Sequence, residues 1–293
     1  MSFRYDEIGK RLKAFRLGSR LSADEIARKL GISRTALYRF EKGELAKIET
    51  LEKLAELLGV SVPTLLGVGT EYIGSAVSYF ERIRQIEEET QSIISLAGTI
   101  QSLLASDAFE ATLSDVLRES IPENAVSRQR TLADVATIMT ILRERKQTYL
   151  RRKPSMVKLL SALDLERFLS HGFVGRSTLP PAVLRKRKAL ARNEVMHFAS
   201  LIEAAPMGVQ IGIVPEALPH AGFQLYIQAD RRILTTNPFR LGEQTNIGVG
   251  VAMITSAPEA LELQDKAVKE MWRGALKGEA ASKFLRKLLA NRP

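Results

Sequence analysis

Leu21–Gly43, LSADEIARKLGISRTALYRFEKG, is the stretch from which the rest of this 293-residue chain can be read. It predicts two short helices joined by a tight turn. Ser22 stands three residues before Glu25, the spacing of a capping box, in which side chain and backbone satisfy each other's free hydrogen bonds at a helix start. Ile26, Ala27 and Leu30 then share one helical face. Gly31 can end the helix, because glycine enters the left-handed conformation without steric cost. Ile32 is an apolar plug between the helices, and Ser33 can cap the second. That helix turns Ala36, Leu37 and Phe40 inward and leaves Arg34, Thr35, Tyr38 and Arg39 outward.

Two guanidiniums, a hydroxyl and a phenol on the N-terminal part of an exposed helix suit the DNA major groove. Arginine can bond both acceptors of guanine at once, and threonine can bond a base edge or touch a thymine methyl. A solvated helix face would explain Arg34 or Arg39 alone. The full set of caps, glycine turn, apolar plug and polar outer face favours DNA.

These residues closely resemble the helix-turn-helix of Cro and the phage repressors, the XRE family of regulators. The match runs from about Tyr5 to Leu66, with an opening helix IGKRLKAFR and a closing pair IETLEKLAELLG and SVPTLLG. The resemblance implies a five-helix domain whose third helix enters the major groove, usually from a dimer. It also implies Arg34, Thr35, Tyr38 and Arg39 as base readers, with Ser33, Lys42 and Lys47 beside phosphates. The loop after the third helix often carries several cations in this family; here it has Lys47 between Glu44 and Glu49.

Composition narrows the remainder. An apolar fraction of 45% supplies a sizeable core, and the length suits two domains or one with a long extension. The absence of cysteine excludes disulfides, thiolate metal sites and a cysteine nucleophile. The three histidines, His171, His197 and His220, are not at helix-pair spacing, so neither a metal centre nor a catalytic site is expected, and no cofactor is called for. No apolar run could span a membrane, and MSFRYDEIGKRL lacks a signal-peptide core, which makes a reduced cytoplasm the expected compartment. Net charge is +10, concentrated in residues 126–199 with sixteen Lys and Arg against five Asp and Glu. That block points to an anionic partner.

The first helix should cover 5–17, with Ile8, Leu12 and Phe15 inward and Lys10, Arg11, Lys13 and Arg16 in solvent or near phosphate. Thr50 can cap a fourth helix, and Gly67-Val-Gly69 forms a boundary, giving a DNA-binding domain over 1–69. Residues 70–90 read as a connecting helix with heptad-like Ile73, Ala76, Phe80 and Ile83, either packed on its own chain or pairing two chains. Glu87-Glu88-Glu89 reads as a solvated face.

Residues 91–293 read as an α+β domain, so the fold class is mainly α, with a small sheet late in the chain. SIISL (92–96) could be a strand, 106–120 and 131–170 are mostly helical, and Pro180-Pro181 opens a long helix to about Ala204. From Gly208 the period becomes two: VQIGIV, FQLYI, RILTT and IGVGVAMI predict three or four strands. Ser256 to Glu259 is a second capping-box pattern, and EAASKFLRKLLA a final helix.

This second domain shows no catalytic constellation. Glu216 and Asp230 lie near strand ends, where carboxylates serve turns. The architecture suggests an effector-sensing transcription regulator acting as a homodimer on a near-palindromic operator in double-stranded DNA. Arg185, Lys188 and Arg192 line one face of the long helix and could attract a small anionic effector; the same face could equally be solvated or touch flanking DNA. The alternative is a ligand-free dimerisation or partner-docking platform. An enzyme fused to a DNA-binding unit is disfavoured by the missing nucleophile and metal motifs.

Overall fold

The computed structural model describes residues 4–44, 47–96, 98–176, 178–215, 222–242 and 245–291, so Glu216 and His220 lie outside the described residues. Five helices come first: α1 (Tyr5–Gly18), α2 (Ala23–Leu30), α3 (Arg34–Glu41), α4 (Ile48–Leu58) and α5 (Val62–Leu66). Their apolar faces supply Leu12, Phe15, Ile26, Leu37, Leu54 and Leu65 to a common core. The N-cap of α4 is Lys47 without a side-chain bond, so Thr50 lies inside the helix rather than at its start.

Residues 70–90 hold two elements, β1 (Glu71–Ile73) and α6 (Ala76–Glu87). Eleven of the twelve α6 residues are buried, polar ones included. Ile73, Ala76, Phe80 and Ile83 are buried within this chain. Glu87 is not solvated as the acidic run suggested; it is 4% exposed and paired with Arg145.

The remaining elements are β2 (Ser92–Leu96), α7 (Asp107–Glu119), α8 (Arg128–Arg152), β3 (Ser155–Ser161), α9 (Ala162–His171), α10 (Pro181–Ala204), β4 (Val209–Val214), β5 (Phe223–Ile227), β6 (Arg232–Thr236), β7 (Ala252–Thr255), α11 (Pro258–Gly274), β8 (Leu276–Lys277) and α12 (Gly278–Ala290). The fold is mainly α with a strand-containing C-terminal part. The sheet draws on the late strands and on three earlier ones, in the order β1-β7-β6-β5-β2-β3-β4-β8. β2, β3 and β4 run parallel, while the other pairings are antiparallel. Parallel neighbours need long crossovers, here supplied by the pairs α7–α8 and α9–α10.

β3 falls inside a run that reads as helical in sequence. Its side chains divide between the two faces. Met156 and Leu160 enter the large core shared with α6, α8 and α10, whereas Leu159 enters a smaller core with Leu261 and Val268 of α11. A strand covered on both sides carries apolar residues on both faces, so the alternation that betrays a strand is lost. IGVGVAMI differs in the other direction: only Ala252–Thr255 is strand, with Asn246 bridging Arg240 ahead of it. The N-cap of α11 is Ala257 without a side-chain bond, so the second capping-box pattern does not close.

The first five helices do not hang free. Residues of α1 pack along α6, and a charged seam runs between them. Arg11 donates to Glu71 at 2.7 Å, and Arg82 donates to the same carboxylate through Nε and Nη2, both at 2.9 Å. Gln85 donates to the Lys10 carbonyl, Lys10 meets Glu7 and Glu89, and Arg231 meets Glu7 at 3.1 Å. Arg130 of α8 donates to the Ser19 carbonyl from another side. Arg11 is therefore 7% exposed and structural, not solvated.

Candidate nucleic-acid interface

Each local signal in the quoted stretch has a physical counterpart. Ser22 Oγ accepts from the Glu25 N–H at 3.2 Å while the Glu25 carboxylate accepts from the Ser22 N–H at 2.7 Å, closing the capping box. Gly31 ends α2 in the left-handed region at φ +66°. Ser33 Oγ accepts from the Ala36 N–H at 3.0 Å and starts α3. Gly9 lets α1 cross the end of α3, since a Cβ there would lie 2.6 Å from the Glu41 carbonyl oxygen.

α3 is correspondingly two-faced. Leu37 is fully buried, and Ala36 and Phe40 are half-buried. Arg34, Thr35 and Arg39 are exposed, with 57% and 62% of the two arginine side chains open to solvent. Tyr38 is half-buried between two guanidiniums: Arg34 lies 5.3 Å and Arg16 5.7 Å from its ring centre. Arg34 Nε also donates to the Tyr38 hydroxyl at 3.0 Å. Arg16 grips Glu41 through Nε and Nη2. It therefore latches α1 to α3 and supports Tyr38, where the sequence placed it in solvent or near phosphate.

Both arginines of the outer face are partnered in the free protein. Arg34 reaches Asp24 at 3.3 Å, and Arg39 Nε donates to Glu44 at 2.6 Å. The Arg39 hydrogen bond holds the Glu44 carboxyl below its ordinary range. Exposed pairs of this kind are weak, so exchanging a carboxylate for a base edge costs little. The expected phosphate contacts Lys42 and Lys47 are exposed at the end of α3 and the start of α4. The Ser33 oxygen is engaged as a cap acceptor, which leaves its O–H as a donor.

Arg185, Lys188 and Arg192 are not gathered around a cavity. Arg185 and Lys188 are exposed on α10, whereas Arg192 donates to the Leu289 carbonyl at the end of α12 at 3.0 Å. Arg187, next to them in sequence, turns inward to Glu119 at 2.6 Å. His197 is half-buried beside the Leu104 carbonyl. Among the described residues, no helix is long and apolar enough to cross a membrane.

Comparison with known proteins agrees with the geometry of the first helices. Residues 12–65 match the family model described as Helix-turn-helix. No curated protein matches the chain. Among solved structures, TrmBL2, an archaeal chromatin protein described as showing a novel mode of DNA binding, aligns at 12% identity and a TM-score of 0.31. The alignment covers 78% of this chain, which spans 62% of that one; a likeness so loose defines neither fold nor function. The N-terminal helices, over residues 12–65, are an XRE-type helix-turn-helix, a DNA-binding module.

Proposed function

We propose that α3 reads base edges in the major groove, with Arg34, Thr35, Tyr38 and Arg39 as readers and Ser33, Lys42 and Lys47 against phosphates. The observation that carries this is the division of α3: Leu37 is sealed in the core while Arg34 and Arg39 stay open. An eight-residue helix touches only a few base pairs, so a homodimer with two copies of α3 about 34 Å apart would supply the length of a near-palindromic operator. Selecting an operator from random duplexes and footprinting it tests the reading. A symmetric site protected over two successive major grooves supports it. Protection without sequence preference overturns it.

The division of labour proposed within the chain is a reading unit over 1–69, a connector over 70–90, and a sensory domain over 91–293. A cavity of about 480 Å³ in the C-terminal part supports sensing over a ligand-free platform, since it lies in the size range of small-molecule sites. The helix-turn-helix points to regulation rather than to catalysis.

A further inference from the structure

The cavity opens where the C-terminal ends of β2, β3 and β6 meet the start of β5, because the loop after β2 (Gly98–Ser102), the start of α9, Gly222, Asn237 and Phe239–Gly242 all line it. In open α/β sheets, ligands bind in the crevice outside the carboxyl ends of parallel strands, since the chain leaves the sheet there and exposes loop amides and side chains. Gln101, Ser161 and Gln224 offer polar atoms in the wall. Five charged side chains line it, and three are guanidiniums: Arg145, Arg167 and Arg240, against Asp164 and Glu166. Asp164 is itself paired with Arg167.

Arg145 is the decisive residue. It is 4% exposed, yet it lines the cavity. Its Nε and Nη2 donate to Glu87 at 2.9 and 2.8 Å. Its Nη1 donates to neither Glu87 oxygen. A buried guanidinium in the wall of a polar hollow is a binding position for a carboxylate or phosphate.

Resting on the sensory reading above, we propose that this cavity binds a small organic anion whose charged group meets Arg145, with Arg240 at the wall. The same helix that holds Arg145 in place reaches the DNA-reading unit. α6 carries Phe80 into the cavity wall and Glu87 onto Arg145, and between them Arg82 and Gln85 grip the α1 seam. Occupancy that shifts the Arg145–Glu87 pair therefore acts on the element that orients α1.

The test uses the full chain with two probes, citrate and glycerol 3-phosphate, and glycerol as the uncharged control, followed by calorimetric titration and thermal melting at matched ionic strength. At least one anion is expected to bind saturably, and glycerol not. Arg240→Gln and the double variant E87Q/R145Q, which removes both charges of the buried pair together, are expected to weaken binding at least tenfold while melting cooperatively. The site is overturned if neither anion binds beyond the salt control, or if both variants bind as the parent does, which would place the anion elsewhere on the basic surface. Duplex affinity measured with the anion bound separates the two levels. Anion binding with unchanged DNA affinity removes the sensory reading and leaves the site, whereas absent anion binding removes the site and leaves DNA reading untouched.

Discussion

Arg11 of the first helix and Glu71 of the sheet's edge strand meet at 2.7 Å, sixty residues apart in sequence and both almost closed to solvent. Arg82 completes the contact on the same carboxylate. Removing one partner of a buried ionic cluster leaves the other charges uncompensated, which costs about 3–5 kcal/mol. Glu71→Ala is therefore expected to destabilise the whole chain by that order in urea unfolding. A change below about 1 kcal/mol would show that the seam does not hold the two parts together.

The same seam makes the protein sensitive to acid. Burial pushes the Glu7 carboxyl up, but Arg82, Arg231 and Lys10 outweigh it and hold the group at about 2. A carboxyl depressed in the folded state contributes its full stability above the unfolded value and loses it as pH falls to the folded one. Stability should fall between about pH 4.5 and 2. Glu7→Gln should be less stable at neutral pH and show a flatter decline over that window, read from melting temperatures across it.

Lys158 acts in the opposite range. It is fully buried in β3, donates to the Gly98 carbonyl at 2.9 Å, and is pushed down to about 7 by burial despite the opposing pull of Asp164. Between pH 7 and 9 the unfolded chain binds a proton that the folded chain does not, so stability should rise with pH, by about 2 kcal/mol from this group. Lys158→Met should remove that slope. Denaturation curves for both proteins at pH 7 and 9 decide it; equal slopes would mean that the ammonium is stabilised inside the fold.

At the DNA surface the outcomes differ by residue. Arg34→Ala and Arg39→Ala are each expected to weaken operator binding roughly 5- to 150-fold and to relax preference at particular base pairs. Lys47→Ala should weaken operator and unrelated duplex alike and lower the salt dependence. Glu44→Gln frees Arg39 from its carboxylate partner and should tighten binding. Fluorescence anisotropy on operator and scrambled duplexes separates these patterns, and an Arg39→Ala protein that binds like the parent would remove α3 as the reader.

The helix-turn-helix was legible because its signals are local. Ser22 and Glu25, Gly31, and Ser33 each act within a few residues of themselves, so spacing alone exposes them. Arg11 and Arg16 were not legible, because the same basic periodicity serves a solvated face or a buried pair, and the partner Glu71 lies far along the chain. β3 was hidden for a different reason: both of its faces are covered, and Lys158 within it imitates the polar face of a helix. Nor could spacing find the cavity, whose arginines 145, 167 and 240 come from three separate segments.

Because α1 turns Leu12 and Phe15 toward the reading helices and Arg11 toward the sheet edge, it is a shared beam rather than a detachable end piece. Cutting the polypeptide near Gly69 would part the Arg11 guanidinium from its Glu71 carboxylate on the other side of the break. Proteases should accordingly fail to liberate a compact, duplex-competent fragment under native conditions, and evolution could not have swapped this reader onto another body without rewriting α1.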